Sequence, residues 1–252
     1  MKVEDIKKIG VLGAGLMGGG IAQVCAIYGY SVTARDVSED ILNRAKEIII
    51  DGRFGLKGGL ERGKITKEQY ERAIKNISFT TSMKQLCKDA DVIIEAIPEI
   101  LPVKIKTFRE LDELCPERTI LASNTSGFSI TALAAPTNRP DRVIGMHWFN
   151  PAPVMRLVEV IKTDMSSEEN VDCIKDLSMK LGKTPIVIKD SPQTYGFVAN
   201  RAYAALVREC RAIVEEGVAT PEQVDTALKL GYNFPMGPFE LFGLVGRLGR
   251  SE

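Results

Sequence analysis

Residues 9–18 read Ile-Gly-Val-Leu-Gly-Ala-Gly-Leu-Met-Gly, an apolar segment that runs directly into closely spaced glycines. Residues 9–12 form a short apolar run of the kind that makes a buried strand, and residues 21–28 continue with apolar residues at helical spacing. A strand that enters a helix through a glycine-rich turn is the opening unit of an alternating α/β fold.

Further strand candidates follow along the first half of the chain, with helical segments between them. The segment 92–97 is apolar almost throughout, as a parallel strand buried on both faces should be. A helix is predicted over 103–114, and the other strand candidates are residues 31–34, a segment that begins at Ile77, 119–122 and 142–146. This alternation predicts a Rossmann-type, doubly wound sheet of the α/β class.

One connection in this pattern is too long for a simple crossover helix. About forty positions separate Asp36 from the strand candidate at Ile77, whereas a βαβ crossover needs far fewer. Residues 41–50 and 68–74 both have helical patterns, and a stretch rich in glycine and basic residues lies between them. We therefore predict an inserted helical hairpin that projects from the sheet.

The character of the chain changes near Asp190-Ser191-Pro192. Beyond this point the segments 197–214, 221–230 and 238–245 are helical by pattern, and Thr220 followed by Pro221 is a typical helix start. These features predict two domains, an α/β domain over residues 1–189 and a small all-helical domain over residues 190–252.

The glycine motif carries specific chemistry when it stands between a strand and a helix. Gly13 permits the tight turn, Gly15 lets the backbone approach a pyrophosphate, and Gly18 lets the helix pack closely on the strand. The helix N-terminus offers N–H groups and a partial positive charge to phosphates. Asp36, which closes the next strand, suits a ribose 2′-hydroxyl and therefore favours NAD over NADP. Arg35 weakens the preference for NAD, because an arginine can accommodate the 2′-phosphate of NADP. The alternative for the whole motif is a glycine-rich turn that binds no ligand.

Composition excludes several other classes of protein. Of the 252 residues, 33 are basic and 33 acidic, and this balance argues against a nucleic-acid or membrane-surface binder. No apolar run is long enough to span a bilayer, and the first eight residues do not resemble a signal peptide. Five scattered cysteines without a Cys-x-x-Cys motif favour a reduced, cytoplasmic compartment. A single histidine excludes a multi-histidine metal site within the chain, and we predict no metal.

That histidine, His147, follows a strand candidate, where an α/β sheet places its ligands. Glu159 lies twelve residues later beside apolar residues, so it is expected to be partly buried and to need a partner. An imidazole backed by a carboxylate is a suitable base for the oxidation of an alcohol. The alternative is an ordinary core histidine, and spacing alone does not decide between the two.

Four polar residues also follow the strand candidate at 119–122, in the stretch Ser123-Asn124-Thr125-Ser126-Gly127. They stand where a sheet would present ligands. Composition alone favours an ordinary turn and helix cap.

Taken together, several segments resemble the L-3-hydroxyacyl-coenzyme A dehydrogenase family, and most closely its short-chain 3-hydroxybutyryl-CoA members. The resemblance runs over nearly the whole chain, and the stretch 146–160 is more specific to the family than the glycine motif. The segments that carry it are 13–20, 91–99, 120–126, 139–161, Asp190 with 196–201, and 236–241.

The resemblance implies a role for each matching residue. His147 would be the general base in oxidation and the general acid in reduction, and Glu159 would orient it. Ser126 would donate a hydrogen bond to the reacting 3-oxygen, near both cofactor and substrate. Asn200 would hold the substrate from the helical domain. The implied NAD-binding residues are Gly13, Ala14, Gly15, Leu16, Met17, Gly18, Asp36, Glu99, Lys104, Ser126 and Asn150.

The implied reaction is reversible hydride transfer between an (S)-3-hydroxyacyl-CoA and NAD, as in fatty acid β-oxidation. In the family the inserted hairpin contacts coenzyme A, so Lys57 becomes a substrate-binding candidate. The turn of the hairpin contains more basic than acidic residues, and this positive charge could meet the phosphates of coenzyme A. Its only acid is Glu61, and its basic residues are Arg53, Lys57, Arg62, Lys64 and Lys67. The alternative is a solvated, mobile basic loop.

Three departures from the family pattern matter. Residues 193–195 are interposed between Pro192 and Gly196, and Gly127 replaces a second serine. The segment 246–251 resembles the family's closing segment placed too early, as if several helices and a cofactor-contacting lysine were missing. Because the family's helical domain carries much of its dimer contact, the sequence leaves a homodimer open. It also leaves open a nucleotide-binding protein with little catalysis, or a dehydrogenase of small 3-hydroxy acids without CoA.

Overall fold

The structure, a computed structural model, describes residues 1–248, with side chains through residue 243. The chain divides into two compact units, Met1–Tyr195 and a second that begins at Gly196. Asp190 belongs with the first unit, because its carboxylate accepts hydrogen bonds from the Ser129 hydroxyl and from the N–H and hydroxyl of Thr131.

The first unit is built on one eight-stranded sheet of order β3-β2-β1-β4-β5-β6-β7-β8. Neighbouring strands are parallel except for β6 and β7, which are antiparallel. The strands are β1 Lys8–Leu12, β2 Ser31–Arg35, β3 Ile77–Thr80, β4 Val92–Glu95, β5 Ile120–Ser123, β6 Val143–Trp148, β7 Leu157–Lys162 and β8 Thr184–Lys189. The predicted doubly wound α/β sheet is confirmed, because the six strand candidates of the sequence each fall on one of these strands.

Helices cover the sheet and bury their apolar sides against it. The helices of the first unit are α1 Leu16–Ile27, α2 Glu39–Asp51, α3 Leu56–Glu61, α4 Lys67–Asn76, α5 Met83–Cys87, α6 Leu101–Leu114, α7 Ile130–Ala134 and α8 Glu168–Lys180, with 3-10 turns at Val3–Asp5 and Pro140–Arg142. Helix α1 is the most deeply placed, since all its residues from Gly18 to Ile27 are buried. None of the helices in the described part of the chain is long and apolar enough to cross a membrane.

The insertion between β2 and β3 contains the two predicted helices, as α2 and α4, and a third short helix, α3, at the turn. Its inner face does not stand clear of the sheet, because Ile49, Leu56 and Ala73 are buried in the main hydrophobic core. The sequence pattern concealed α3 because this short helix contains two glycines and buries only Leu56.

Two strands were not predicted. Strand β7 carries the charged Glu159 within its apolar run, and β8 lies at the edge of the sheet with no fully buried residue and a proline at its second position. Both features hide the apolar alternation by which a strand is recognised.

The second unit contains three helices in its described part, α9 Val198–Glu215, α10 Pro221–Tyr232 and α11 Pro238–Leu248. Thr220 caps α10, as the sequence predicted, and it also forms a capping box with Gln223. The buried Asp225 accepts hydrogen bonds from the N–H groups of Phe239 and Glu240 and so caps α11. Helix α9 spans 18 residues but has only Cys210 fully buried, so this unit has a small core of its own.

Candidate active site

The strand order reverses between β1 and β4, and the crevice at their carboxyl ends is where a doubly wound sheet binds its ligand. The loops after β1, β4, β5 and β6 all begin at this edge, because these four strands are parallel and their carboxyl ends lie side by side. The chemistry-bearing residues of the first unit are therefore found along one edge of the sheet.

The glycines of the loop after β1 are required for different reasons. Gly13 has φ +95°, and a Cβ atom there would lie 2.5 Å from the carbonyl oxygen of Ala96. A Cβ on Gly18 would overlap the carbonyl oxygen of Gly13. At Gly15, by contrast, a Cβ would meet no atom of a non-adjacent residue within 4 Å. The fold itself does not require glycine at position 15, so the open space there fits a ligand that approaches the backbone closely.

The N-terminus of α1 is suited to an anion. Its N-cap residue, Gly15, has no side chain to cap the helix, and the first turn contains no acidic residue. The N–H groups at Leu16 and Met17 therefore keep the positive end of the helix dipole available for phosphate. The open space and the uncapped helix together fit the pyrophosphate of a dinucleotide.

Asp36 is fixed beside this loop. Its Oδ2 accepts a hydrogen bond from the N–H of Ala14 at 2.6 Å, and its Oδ1 accepts one from the N–H of Val37 at 2.7 Å. Arg35 donates its Nε–H to the carbonyl of Thr81, 3.1 Å away. The guanidinium of Arg35 is thus engaged after β3, while the carboxylate of Asp36 stands at the glycine loop.

His147 and Glu159 come together across the only antiparallel pair of strands in the described sheet. They are direct register partners on β6 and β7, with 2.8 Å between Nδ1 of the imidazole and Oε2 of the carboxylate. His147 is 3% exposed and Glu159 is fully buried. The ring of Phe149 packs on the imidazole with 4.5 Å between centroids. This arrangement orients the imidazole and pairs it with a buried acid, as a proton-transfer couple requires.

A buried ionic cluster joins the ends of β4 and β5. Lys104, 1% exposed, places Nζ 2.6 Å from Oε1 of Glu95 and 3.1 Å from Oε2 of Glu99. Glu95, the last residue of β4, is fully buried and also accepts a hydrogen bond from the Ser123 hydroxyl at 2.7 Å. The cluster therefore fixes Glu99 and Lys104 relative to the loop that follows β5.

Ser126 lies in that loop and is held by its backbone. Its N–H donates to Oε1 of Glu99 at 2.9 Å, and the same oxygen accepts hydrogen bonds from the hydroxyls of Thr125, at 2.6 Å, and Tyr195, at 3.2 Å. One residue earlier, Asn124 accepts a hydrogen bond from the N–H of Trp148, the neighbour of His147 in β6. The loop after β5 is thus tied both to Glu99 and to the strand that carries the histidine.

Three further residues of the predicted site stand at exposed positions. Asn150 is exposed in the connection between β6 and β7. Lys57 is exposed on α3 and forms an ion pair with Asp51 at the end of α2. Asn200 is exposed in the first turn of α9, in the second unit. The roles of these three residues stay predictions.

Sequence reasoning missed Glu95 and Tyr195. The signal for Glu95 was an acid inside an otherwise apolar strand, since a buried carboxylate needs a partner. Tyr195 lies in the three interposed residues, where its ring packs edge-on against Phe128 with 5.5 Å between centroids. Within the described residues we find no group of three or more acidic, histidine or cysteine side chains that could hold a metal ion.

Comparison with known proteins agrees with this geometry. Residues 8–191 match the family described as 3-hydroxyacyl-CoA dehydrogenase, NAD binding domain, and residues 196–249 match the C-terminal domain of the same enzyme. A probable 3-hydroxybutyryl-CoA dehydrogenase of Bacillus subtilis (strain 168) is 44% identical over 246 residues, which are 96% of this chain and 82% of the relative. The human mitochondrial hydroxyacyl-coenzyme A dehydrogenase is 43% identical over 243 residues, 96% of this chain and 76% of the relative.

Among solved structures, 3-hydroxybutyryl-CoA dehydrogenase from Escherichia coli K12 superposes with a TM-score of 0.89 at 42% identity. The match covers 96% of this chain and 50% of that one. The two domain matches and the identity to relatives over most of their length show that the chain belongs to the 3-hydroxyacyl-CoA dehydrogenase family of NAD-dependent oxidoreductases.

Proposed function

We propose that the protein transfers a hydride reversibly between a short-chain (S)-3-hydroxyacyl-CoA and NAD, giving the 3-ketoacyl-CoA and NADH. The observation that carries this proposal is the 2.8 Å contact between the buried His147 and Glu159 at the ligand-binding edge of the sheet. The names of the relatives, several of which specify 3-hydroxybutyryl-CoA, support the substrate class.

The proton chemistry is assigned to the imidazole. With Nδ1 bound to Glu159, Nε2 of His147 takes the proton of the substrate hydroxyl during oxidation and returns it during reduction. The carboxylate stabilises the imidazolium that forms and holds the ring in one orientation. The Ser126 hydroxyl donates a hydrogen bond to the reacting 3-oxygen. When bound, NAD supplies the acceptor for the hydride.

The glycine loop and the N-terminus of α1 would hold the pyrophosphate, and Asp36 the adenosine ribose. Glu99, Lys104 and Asn150 would line the nicotinamide side. We assign cofactor binding to the α/β domain, and substrate binding and dimerisation to the helical domain, for which the sequence predicted the bounds 1–189 and 190–252. In this assignment Lys57 and Asn200 contact the acyl-CoA.

We also propose a cytoplasmic role in fatty acid β-oxidation. The five cysteines, which are all free thiols, fit a reducing compartment. A homodimer is the assembly proposed, and the exposed Leu230, Tyr232 and Phe242 of the second unit are available to such a contact. Size-exclusion chromatography with light scattering measures it directly.

One spectrophotometric assay tests the function. Purified protein is mixed with acetoacetyl-CoA and either NADH or NADPH, and the loss of absorbance of the reduced cofactor is followed, with the His147→Ala variant as the matched control. We expect turnover with NADH that the variant loses. No turnover by a protein that binds NADH would instead favour a nucleotide-binding protein without catalysis. Equal efficiency with free acetoacetate in place of acetoacetyl-CoA would contradict the assignment to CoA thioesters.

A further inference from the structure

Glu95 is a fully buried carboxylate at the cofactor edge of the sheet with three hydrogen-bond donors. It ends β4, is fully buried, and accepts hydrogen bonds from Nζ of Lys104 at 2.6 Å, the N–H of Ile97 at 2.8 Å and the hydroxyl of Ser123 at 2.7 Å. A buried carboxylate with this many donors holds its neighbours in one arrangement.

The three bonds of Glu95 reach two different loops. Ile97 and Lys104 belong to the connection after β4 and to helix α6, which it leads into, whereas Ser123 ends β5 and accepts a hydrogen bond from the N–H of Thr125 at 3.2 Å. Glu99 joins the same two loops through Thr125 and Ser126. Glu95 is therefore the inner support of the surface that the proposed function assigns to the nicotinamide.

The charges of this cluster do not balance. Lys104 is the only cation that forms an ion pair with Glu95 or Glu99 among the described residues, and it lies within 3.1 Å of both carboxylates. One ammonium and two carboxylates carry formal charges that sum to −1. Lys104 and Glu95 are essentially removed from solvent and Glu99 is 33% exposed, so water and salt screen this excess charge only weakly.

We infer that Glu95 is a positioning residue that also sets the redox preference of the site, favouring the oxidised cofactor over the reduced one. This inference rests on the proposed function. The nicotinamide ring carries one positive charge in NAD⁺ and none in NADH, so a net negative cluster beside it stabilises the oxidised form selectively. Removing one carboxylate charge leaves the cluster neutral and abolishes that selectivity.

The test is a pair of affinity measurements on the full chain. The Kd of NADH is measured by its fluorescence and that of NAD⁺ by competition, for the wild-type protein, Glu95→Gln and Ser123→Ala. Glutamine keeps the shape of the glutamate side chain, and its amide oxygen can still accept the hydrogen bond from Lys104. We expect the ratio of the NAD⁺ Kd to the NADH Kd to rise about tenfold in Glu95→Gln, or about 1.4 kcal/mol. Ser123→Ala removes a neutral bond to the same carboxylate and should leave the ratio unchanged.

The ratio separates an electrostatic role from a structural one. A variant that is merely distorted binds both forms more weakly, and an unchanged ratio in Glu95→Gln overturns the inference. If Glu95→Gln does not fold, Glu99→Gln removes one carboxylate charge from the same cluster at a partly exposed position, and it must raise the ratio of the two Kd values. An unchanged ratio in Glu99→Gln overturns the inference equally. A wild-type protein that binds neither form contradicts the proposed function itself.

Discussion

His147 and Glu159 are direct cross-strand neighbours, so the backbone register of β6 and β7 holds the imidazole 2.8 Å from its carboxylate. The pair needs no mobile loop to assemble it. Both residues are buried on rigid strands, which limits the freedom of the ring before any substrate arrives.

Replacing His147 by alanine should greatly slow turnover while leaving cofactor binding intact. A general base commonly contributes about 10²- to 10⁴-fold to the rate, and we expect a loss in that range. The measurement is the rate of NADH oxidation with acetoacetyl-CoA, accompanied by the Kd of NADH as the control. Turnover close to that of the wild-type protein would remove His147 from the mechanism.

This pairing shows where sequence reasoning stops. The patterns placed the histidine just after a strand, whereas His147 lies within β6, one residue before its end. They also suggested a buried acid, but twelve residues of chain separate the two positions and can adopt many paths. The contact depends on β7 being an antiparallel strand in a particular register, and Glu159 itself interrupts the apolar pattern that would have revealed that strand. Gly13 and Asp36 could be placed beside each other from the sequence, because their positions depend only on two neighbouring strands and the short loops that follow them.

The glycines of the first loop should separate folding from binding. Gly13→Ala introduces a Cβ 2.5 Å from the carbonyl oxygen of Ala96, at a backbone φ of +95°. A strained backbone position alone costs about 1–3 kcal/mol, and the steric overlap adds to it, so we expect the free energy of unfolding to fall by more than that. Gly15→Ala places its methyl group in open space and should unfold like the wild-type protein, yet bind NADH at least about tenfold more weakly because the pyrophosphate loses its close approach. Thermal unfolding and NADH fluorescence titration measure the two effects.

The two variants serve as controls for each other. Normal NADH affinity in Gly15→Ala would show that no ligand uses the space beside this residue, and the assignment of the pyrophosphate to this loop would fail.

Asp36 should determine the choice between NADH and NADPH. Its carboxylate is fixed by the N–H groups of Ala14 and Val37, and its charge would repel a 2′-phosphate. We expect the wild-type protein to prefer NADH over NADPH. Asp36→Ser should narrow that preference by about tenfold or more, because it removes the repulsion between the carboxylate and the 2′-phosphate and leaves the adjacent Arg35. One charge–charge interaction of this kind contributes about 1 kcal/mol or more. Parallel assays with both cofactors measure it, and Asp40→Ser, an exposed position in the first turn of α2, is the matched control. An unchanged preference in Asp36→Ser would place the ribose elsewhere.

Lys183 should make the stability of the protein depend on alkaline pH. Its ammonium is buried beneath the connection between β6 and β7, where Nζ donates to the carbonyls of Ala152 at 2.6 Å and Met155 at 2.8 Å and lies 5.2 Å from the centre of the Trp148 ring. Burial lowers the pKa of Lys183 from 10.5 to about 8. A neutral amine retains two N–H groups, enough to keep both carbonyls satisfied.

The sign of the effect follows from proton counting. Between a folded-state pKa of about 8 and an unfolded-state pKa of 10.5, the unfolded chain holds a proton that the folded chain has released. Raising the pH through this window therefore favours the folded state, and below it the contribution does not change. Relative to Lys183→Met, the free energy of unfolding of the wild-type protein should rise by about 2 kcal/mol between about pH 7.5 and about pH 9.5.

Denaturant unfolding of both proteins at the two pH values measures this difference. Burial raises the pKa of the nearby Cys25 to about 12 and the charge of Lys183 lowers it, so the pKa of Cys25 is higher still in the variant. This thiol gives the opposite slope above its ordinary pKa of 9.0, but up to about pH 9.5 it stays protonated in both folded proteins, so its contribution cancels in the comparison. If the two carbonyls need the full ammonium rather than an amine, the wild-type protein will lose stability relative to Lys183→Met as the pH rises, and Lys183 then secures the catalytic strands through its charge.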